Sequence, residues 1–286
     1  MILRSSVVVV AAAAPVPICV GSRCGTLEAP PLLWSGRGGP FEACCDCDSV
    51  DTCSNSRNEE GNFVKYLLPD LEDPPPVFVE IGGNDGVHAS NTLYLEDCLR
   101  WRGVMVEAHP LSFRKMVANR PNVVSVNAAG CDGNRTVHFT EKASPISAMA
   151  PTGIEVPCVR LSDVFEAIDV DTVAFFSLDV EGSEVQVLNG IDFTKLRILT
   201  LVIEEMEKTA KKNALARRIL QTRANLTLAF THCWRHAICD SYWVNPNFFI
   251  NASFPKRLPS GSRTLVKGSE CRATQRNDIR RRRRRE

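Results

Sequence analysis

The sequence predicts an α/β fold: a doubly wound parallel sheet with helices on both faces and an inserted β-hairpin region. Three observations predict it. Short β-branched runs alternate with helix-like segments from Pro74 to about Phe249, the pattern of strands joined by crossover helices. The runs at 77–81, 104–107 and 173–180 are apolar almost throughout, as strands covered on both faces are. The strands end in glycines or carboxylates, and the carboxyl edge is where such sheets bind ligands.

The elements follow in order. Pro74-Pro75-Pro76 breaks regular structure and opens the domain. Residues 77–81 read as a first strand ending at Gly82. Residues 88–101 read as a helix, with Tyr94, Leu95, Cys98, Leu99 and Trp101 on its apolar side. A second strand is expected at 104–107, a helix at 111–120 that stops before Pro121, and a third strand at 123–126. Residues 134–160 alternate like antiparallel strands and make the inserted region. A short helix at 161–168 leads to the fourth strand, 173–180. A helix at 184–188 leads to the fifth, 198–204. The polar, amphipathic stretch 208–223 reads as a helix, and 226–231 and 242–244 as final strands.

The flanks differ from this core. Of 286 residues, 23% are charged and 44% hydrophobic, which excludes a mostly disordered chain, a collagen and a multi-span membrane protein. The net charge of +1 is unevenly spread. The last sixteen residues carry eight Arg against Asp278 and Glu286, including the block Arg280–Arg285. The body is therefore mildly acidic and offers no footprint for specific nucleic-acid binding. At the other end, Arg4 precedes the apolar run Val7–Ala14, a signal-like leader assigned to 1–20. It is read as a secretory signal, with an organelle transit peptide or a disordered leader as alternatives. The run is too short for a stable membrane span. Twelve cysteines, six of them before residue 54, point to an oxidising compartment or a metal site. Disulfides or unstructured thiols are preferred for Cys44, Cys45, Cys47 and Cys53, and no metal site is assigned. Three sequons occur, at Asn134, Asn225 and Asn251. The expected organisation is a leader at 1–20, a Cys/Pro/Gly-rich loop segment at 21–73, one domain at 74–255 and a basic, disordered tail at 256–286. Secretory-pathway or extracellular localisation follows, with an organelle or the cytoplasm as the alternative. The oligomeric state is open.

The chemistry is expected at the strand ends. The first strand runs into Glu80-Ile-Gly82-Gly83-Asn84-Asp85-Gly86. Glycines here let the chain turn sharply and approach a ligand. This is neither a full dinucleotide fingerprint nor a P-loop. The second strand ends in Glu107, 21 residues after Gly86. A carboxylate there suits the two hydroxyls of a ribose, since it accepts both hydrogen bonds. The third runs into Asn127, and the fourth into Asp179-Val-Glu181-Gly182-Ser183-Glu184. Carboxylates after an apolar strand are costly to bury unless they have partners or a task.

These segments, with Ser90-Asn91-Thr92 and Trp101-Arg-Gly103-Val-Met-Val-Glu107-Ala-His-Pro110, resemble the FkbM-type methyltransferase family over roughly residues 77–206. The resemblance implies a Rossmann-like class I methyltransferase fold that uses S-adenosylmethionine and methylates hydroxyl groups of sugars or small metabolites. It implies that Glu80, Gly82, Gly83, Asn84 and Gly86 hold the amino acid part of the cofactor, Glu107 the ribose, and Asn127 the adenine. Asp179 is expected to face the methyl group, and Asp179 and Glu181 are the catalytic candidates. His88, His109 and His138 are weaker ones. The expected partner is a small-molecule or glycan acceptor. Two rivals stand beside this reading: a non-catalytic protein of the same fold serving secretory-pathway trafficking or interaction, and a nicotinamide-dependent enzyme on a similar sheet.

Overall fold

The structure, a computed structural model, describes residues 15–30, 76–141, 149–235 and 238–248. The apolar leader run, the cysteines at 44–53, the sequon at Asn251 and the Arg tail lie outside the described residues. A nine-stranded sheet forms the body, flanked by helices, with a four-stranded sheet beside it.

The large sheet is built outward from β3 (Val77–Ile81) and β10 (Thr172–Leu178), which pair in parallel. On one side lie β4 (Arg102–Val106) and β5 (Val124–Val126), also parallel. On the other lies β11 (Arg197–Met206). β13 (Ile238–Val244) enters antiparallel to β11, and β12 (Thr227–Arg235) closes that edge. Alternate residues of a strand face opposite sides of its sheet, so β3 serves two cores. Val77, Val79 and Ile81 join the cluster containing Val104, Val173 and Leu201. Phe78 joins the cluster with Met105, Met116 and Tyr242 on the other face. Burial on both faces explains why these strands read as continuous apolar runs.

The chain moves outward from β3 to β5, then returns to the middle and continues from β10 to β11. The order reverses between β3 and β10, and that switch point opens a crevice at their carboxyl ends. The connecting helices are α1 (Leu93–Asp97), α2 (Pro110–Asn119), α3 (Leu161–Ala167), α4 (Glu184–Asn189) and α5 (Ala210–Thr222), the last entered through a 3-10 turn at Glu207–Thr209.

Three expectations need correction. The helix expected at 88–101 shrinks to Leu93–Asp97. Asp85 accepts the N–H groups of Val87 and His88, Glu80 accepts that of Asn91, and Ala89 is left-handed at φ 57°. Side-chain carboxylates have taken the donors that a helix would use. The loop-rich reading of residues 21–26 gives way, because they and residues 17–20 of the leader form a hairpin in the sheet. β1 (Pro17–Val20) pairs antiparallel with β5, and β2 (Arg23–Thr26) pairs with β1. Ile18 is wholly buried there, and the Cys19–Cys24 disulfide joins directly opposed residues. Finally, the inserted region is more than a hairpin. β7 (Arg135–Phe139), β8 (Met149–Ala150) and β9 (Ile154–Val159) pair antiparallel, and β6 (Ala129–Gly130) adds in parallel. A buried Cys131–Cys158 disulfide ties this sheet to the end of β6.

Candidate functional site

The crevice at the switch point is an open-mouthed cleft, whose empty space counted together with the solvent at its mouth is about 540 Å³. Its walls come from the ends of β3, β4 and β10, from Ala128–Gly130, and from Phe139 and Met149 of the inserted sheet. Of the nine residues assigned to the site, Gly82, Asn84, Glu107, Asp179 and Glu181 line this cleft. Gly82 sits at φ 88°, and a Cβ there would stand 1.8 Å from the Asp179 carbonyl oxygen. Only glycine lets the ends of β3 and β10 come this close.

At one end of the cleft Glu107 is held rigidly. Its Oε2 accepts the Asn84 N–H at 2.8 Å and its Oε1 accepts the His109 N–H at 2.7 Å. Asn84 reaches this position in a left-handed conformation, φ 46°, which asparagine tolerates. Burial pushes the Glu107 carboxyl up to about 7, against the pull of those two N–H groups. Each oxygen keeps a lone pair for a ligand.

At the other end three carboxylates converge. Asp179, Glu181 and Glu204 place oxygens within 4.8 Å of one another. Burial, with Glu204, Glu181 and Glu184 nearby, pushes the Asp179 carboxyl well above the usual range. Burial, with Glu181, Asp240 and Glu184, pushes Glu204 up to about 7. The Glu204 carboxyl stands beside that of Asp179. Asp179 Oδ1 is sealed from solvent and has no partner. Glu181 is left-handed at φ 54°, followed by Gly182 at 99°. Burial raises its carboxyl, and Lys208 opposes that rise. Glu204 was visible in the sequence only as a strand-end carboxylate; the β10–β11 pairing places it beside Asp179.

The other four assigned residues lie behind the wall. Glu80 accepts from Ser90 Oγ at 2.8 Å, Asn91 N at 2.9 Å and Thr92 Oγ1 at 2.6 Å. Burial raises its carboxyl, and Arg120 and these donors oppose the rise. Its task is to fold the 90–92 turn. Gly83 packs on the side-chain ends of Met105 and Met116, while Gly86, left-handed at φ 78°, packs on Arg120 and Met116 with no room for a Cβ. Asn127 Nδ2 donates to the carbonyls of Glu107 and Ala108 at 2.8 and 2.9 Å, so it braces the strand end that presents Glu107. Arg120, unnoticed in the sequence, is fully buried beneath the same loops. It pairs with Glu96 and donates to Gly86 O, Ser90 Oγ and Thr92 O. None of the three histidines lines the cleft. His109 uses both nitrogens: Nδ1 accepts from Leu111 N, so Nε2 donates to Glu141 O.

A central parallel sheet with an antiparallel β13 inserted before β12, and a carboxyl-edge cleft at the switch point, defines the Rossmann-like fold of class I methyltransferases. The Methyltransferase FkbM domain matches residues 80–227, just over half of the chain, and the chain belongs to that family. Solved structures similar to it include the methyltransferase FkbM from Methylobacillus flagellatus (16% identity, 59% of this chain and 43% of that one, TM-score 0.40). Others are the precorrin-6y C5,15-methyltransferase from Geobacter metallireducens (16%, 72% and 98%, 0.38) and a TehB-like SAM-dependent methyltransferase from Corynebacterium glutamicum (9%, 66% and 89%, 0.38). The chain spans less than half the length of the first of these. No curated protein matches it.

Proposed function

We propose that the chain transfers a methyl group from S-adenosylmethionine to a hydroxyl oxygen of a glycan or a small hydroxylated metabolite. One observation carries this reading: a fixed carboxylate, Glu107, and a carboxyl grouped with two others, Asp179, stand in a single cleft at the switch point. Family membership supports the choice of methyl donor.

The residues fit that cofactor. Glu107 is fixed by two backbone N–H groups and offers a free lone pair on each oxygen to a ribose diol. Gly82 leaves the end of β3 bare of side chain beside Asp179. Phe139 and Met149 supply apolar faces for a purine ring. When bound, the cofactor supplies a methyl group already activated on a sulfonium. The chain then contributes placement, worth ~7–11 kcal/mol in favourable cases, and a place for the acceptor's proton. Asp179 lines this end of the cleft and is the group placed to take the hydroxyl proton. Glu204 stands beside Asp179, and its carboxyl, pushed up to about 7, is ionised often enough at neutral pH to take that proton on. Glu181 on its left-handed turn lines the same end of the cleft and contacts the acceptor.

The test is calorimetric titration with S-adenosylmethionine and S-adenosylhomocysteine, then labelled-methyl transfer to a panel of glycans and small alcohols. Micromolar binding, ~8 kcal/mol, and a methyl ether product are expected. Absence of binding would favour the non-catalytic reading, and a methyl group on nitrogen or carbon would reject the hydroxyl acceptor.

A further inference from the structure

Two sets of residues play no part in the cleft chemistry: the paired cysteines and the sequons. Every cysteine among the described residues is disulfide-bonded: Cys19 to Cys24, Cys131 to Cys158, Cys233 to Cys239, and Cys98 as well. Disulfides persist in oxidising compartments, where asparagine in an Asn-x-Ser/Thr sequence can also receive a glycan. The structure separates the two sequons it describes.

Asn134 is engaged at both ends of its carboxamide. Its Nδ2 donates to Asp163 Oδ2 at 3.0 Å, and its Oδ1 accepts from Arg160 N at 3.2 Å. Asp163 is itself ion-paired with Arg160. A sugar on Nδ2 would crowd this cluster. Asn225 stands in the turn between α5 and β12, exposed and left-handed at φ 53°. Its carboxamide makes no hydrogen bond among the described residues. The next residue, Leu226, is buried, and its N–H donates to Leu220 O at 2.9 Å. Thr227 is exposed again. The inward anchor at Leu226 thus leaves the carboxamide and the hydroxyl two residues on both open to solvent. Asn225 also lies away from the cleft. It shares a groove with Asp171, Thr172, Leu196 and Arg197, where β10 and β11 begin, so it sits at the amino edge of the sheet.

We infer that Asn225 is the site of an N-linked glycan, carried on the amino edge of the sheet and acquired in an oxidising secretory compartment. The co-reactant is an oligosaccharide on a lipid diphosphate. Asn225 Nδ2 forms a bond to the anomeric carbon, the carbon–oxygen bond to the diphosphate breaks, the lipid diphosphate leaves, and one amide proton is released. No hydrogen bond among the described residues is lost, and the cleft stays open.

Expression of the full chain in cultured animal cells tests this. Enzymatic deglycosylation in heavy-oxygen water, followed by peptide mapping, should return Asn225 as labelled aspartate. Asn225→Gln and Thr227→Ala should each remove one mobility step on a gel. Thr227→Ser should keep that step, and Asn134→Gln should leave it in place. Unmodified Asn225 in the wild-type chain overturns the inference, whether the other sequons are occupied or the whole chain is bare with free thiols. The mapping needs neither variants nor turnover, so failure of the methyl-transfer reading leaves this test intact.

Discussion

Glu107 and Asp179 are both carboxylates at the ends of parallel strands, yet their surroundings give them different chemistry. Glu107 has two backbone N–H groups and no neighbouring carboxylate among its influences, so it is an acceptor waiting for donors. Asp179 has burial and three acidic neighbours, which together push its carboxyl well above the usual range. Replacing Glu107 by Gln should weaken S-adenosylhomocysteine binding at least ~10-fold, since hydrogen bonds to a charged group contribute ~1.5–3 kcal/mol each. Calorimetry decides it, and unchanged affinity removes Glu107 from the ribose role. For Asp179→Asn, the lost proton-accepting oxygen should lower methyl transfer at least ~100-fold. The melting temperature should stay nearly unchanged, because burial and three acidic neighbours already disfavour the charge that the substitution removes. Near-normal turnover in that variant would mean the centre of the site lies elsewhere. Glu181→Gln should have a smaller effect.

Between strands and helices, one cation holds the loops behind the cleft wall. Arg120 follows α2 and bonds the turn at Gly86 and the turn at 90–92 together, while its charge faces Glu96 and Glu80 and its guanidinium lies 5.5 Å from the Phe78 ring centre. Arg120→Met leaves buried carboxylates without their cation, which costs ~3–5 kcal/mol. Denaturant unfolding of Arg120→Met, Glu96→Gln and the double variant should show coupling, with the pair together losing less than the sum of the singles. Additive losses would show that Arg120 and Glu96 act independently. The edge hairpin is a second such device. Ile18 is fully buried against β5, so Ile18→Ala should cost ~2–5 kcal/mol in the same measurement. A loss within ~0.5 kcal/mol, the size expected of a surface change, would show that the hairpin is dispensable.

For the molecule as a whole, the acidic cleft sets the pH dependence. Glu107 and Glu204 titrate near 7 in the folded chain against an ordinary 4.5, and Glu80 and Asp179 are raised too. The folded chain therefore binds more protons than the unfolded chain in this window, and stability falls as pH rises. Their contribution is fully present below about 4.5 and is lost as pH climbs through about 7. Asp132 and Asp192 are lowered instead, and their opposing contribution is confined to acid pH and to the exposed surface. Thermal midpoints should thus decline from about pH 5 to about pH 8. A rising profile across that window contradicts the buried, proton-holding cleft.

The sequence by itself determined the alternation of strands and helices, the β-branched interior and the carboxyl-edge positions of Gly82, Glu107 and Asp179, and it carried the family resemblance. These properties are local: a strand buried on both faces must be apolar throughout, and a turn against a neighbouring strand must be glycine. Tertiary structure decided the rest. Residues 17–20 became a sheet strand because β5 offered an unpaired edge, which no pattern near residue 17 announces. The turn at 85–92 lost its helix because Asp85 and Glu80 captured its backbone donors. Glu204 came to stand beside Asp179 through the β10–β11 pairing, and Arg120 became the brace of the loops at Gly86 and 90–92 by lying beneath them. Each of these depends on a contact between segments distant in the chain, and such contacts exist only once the whole sheet has closed around them.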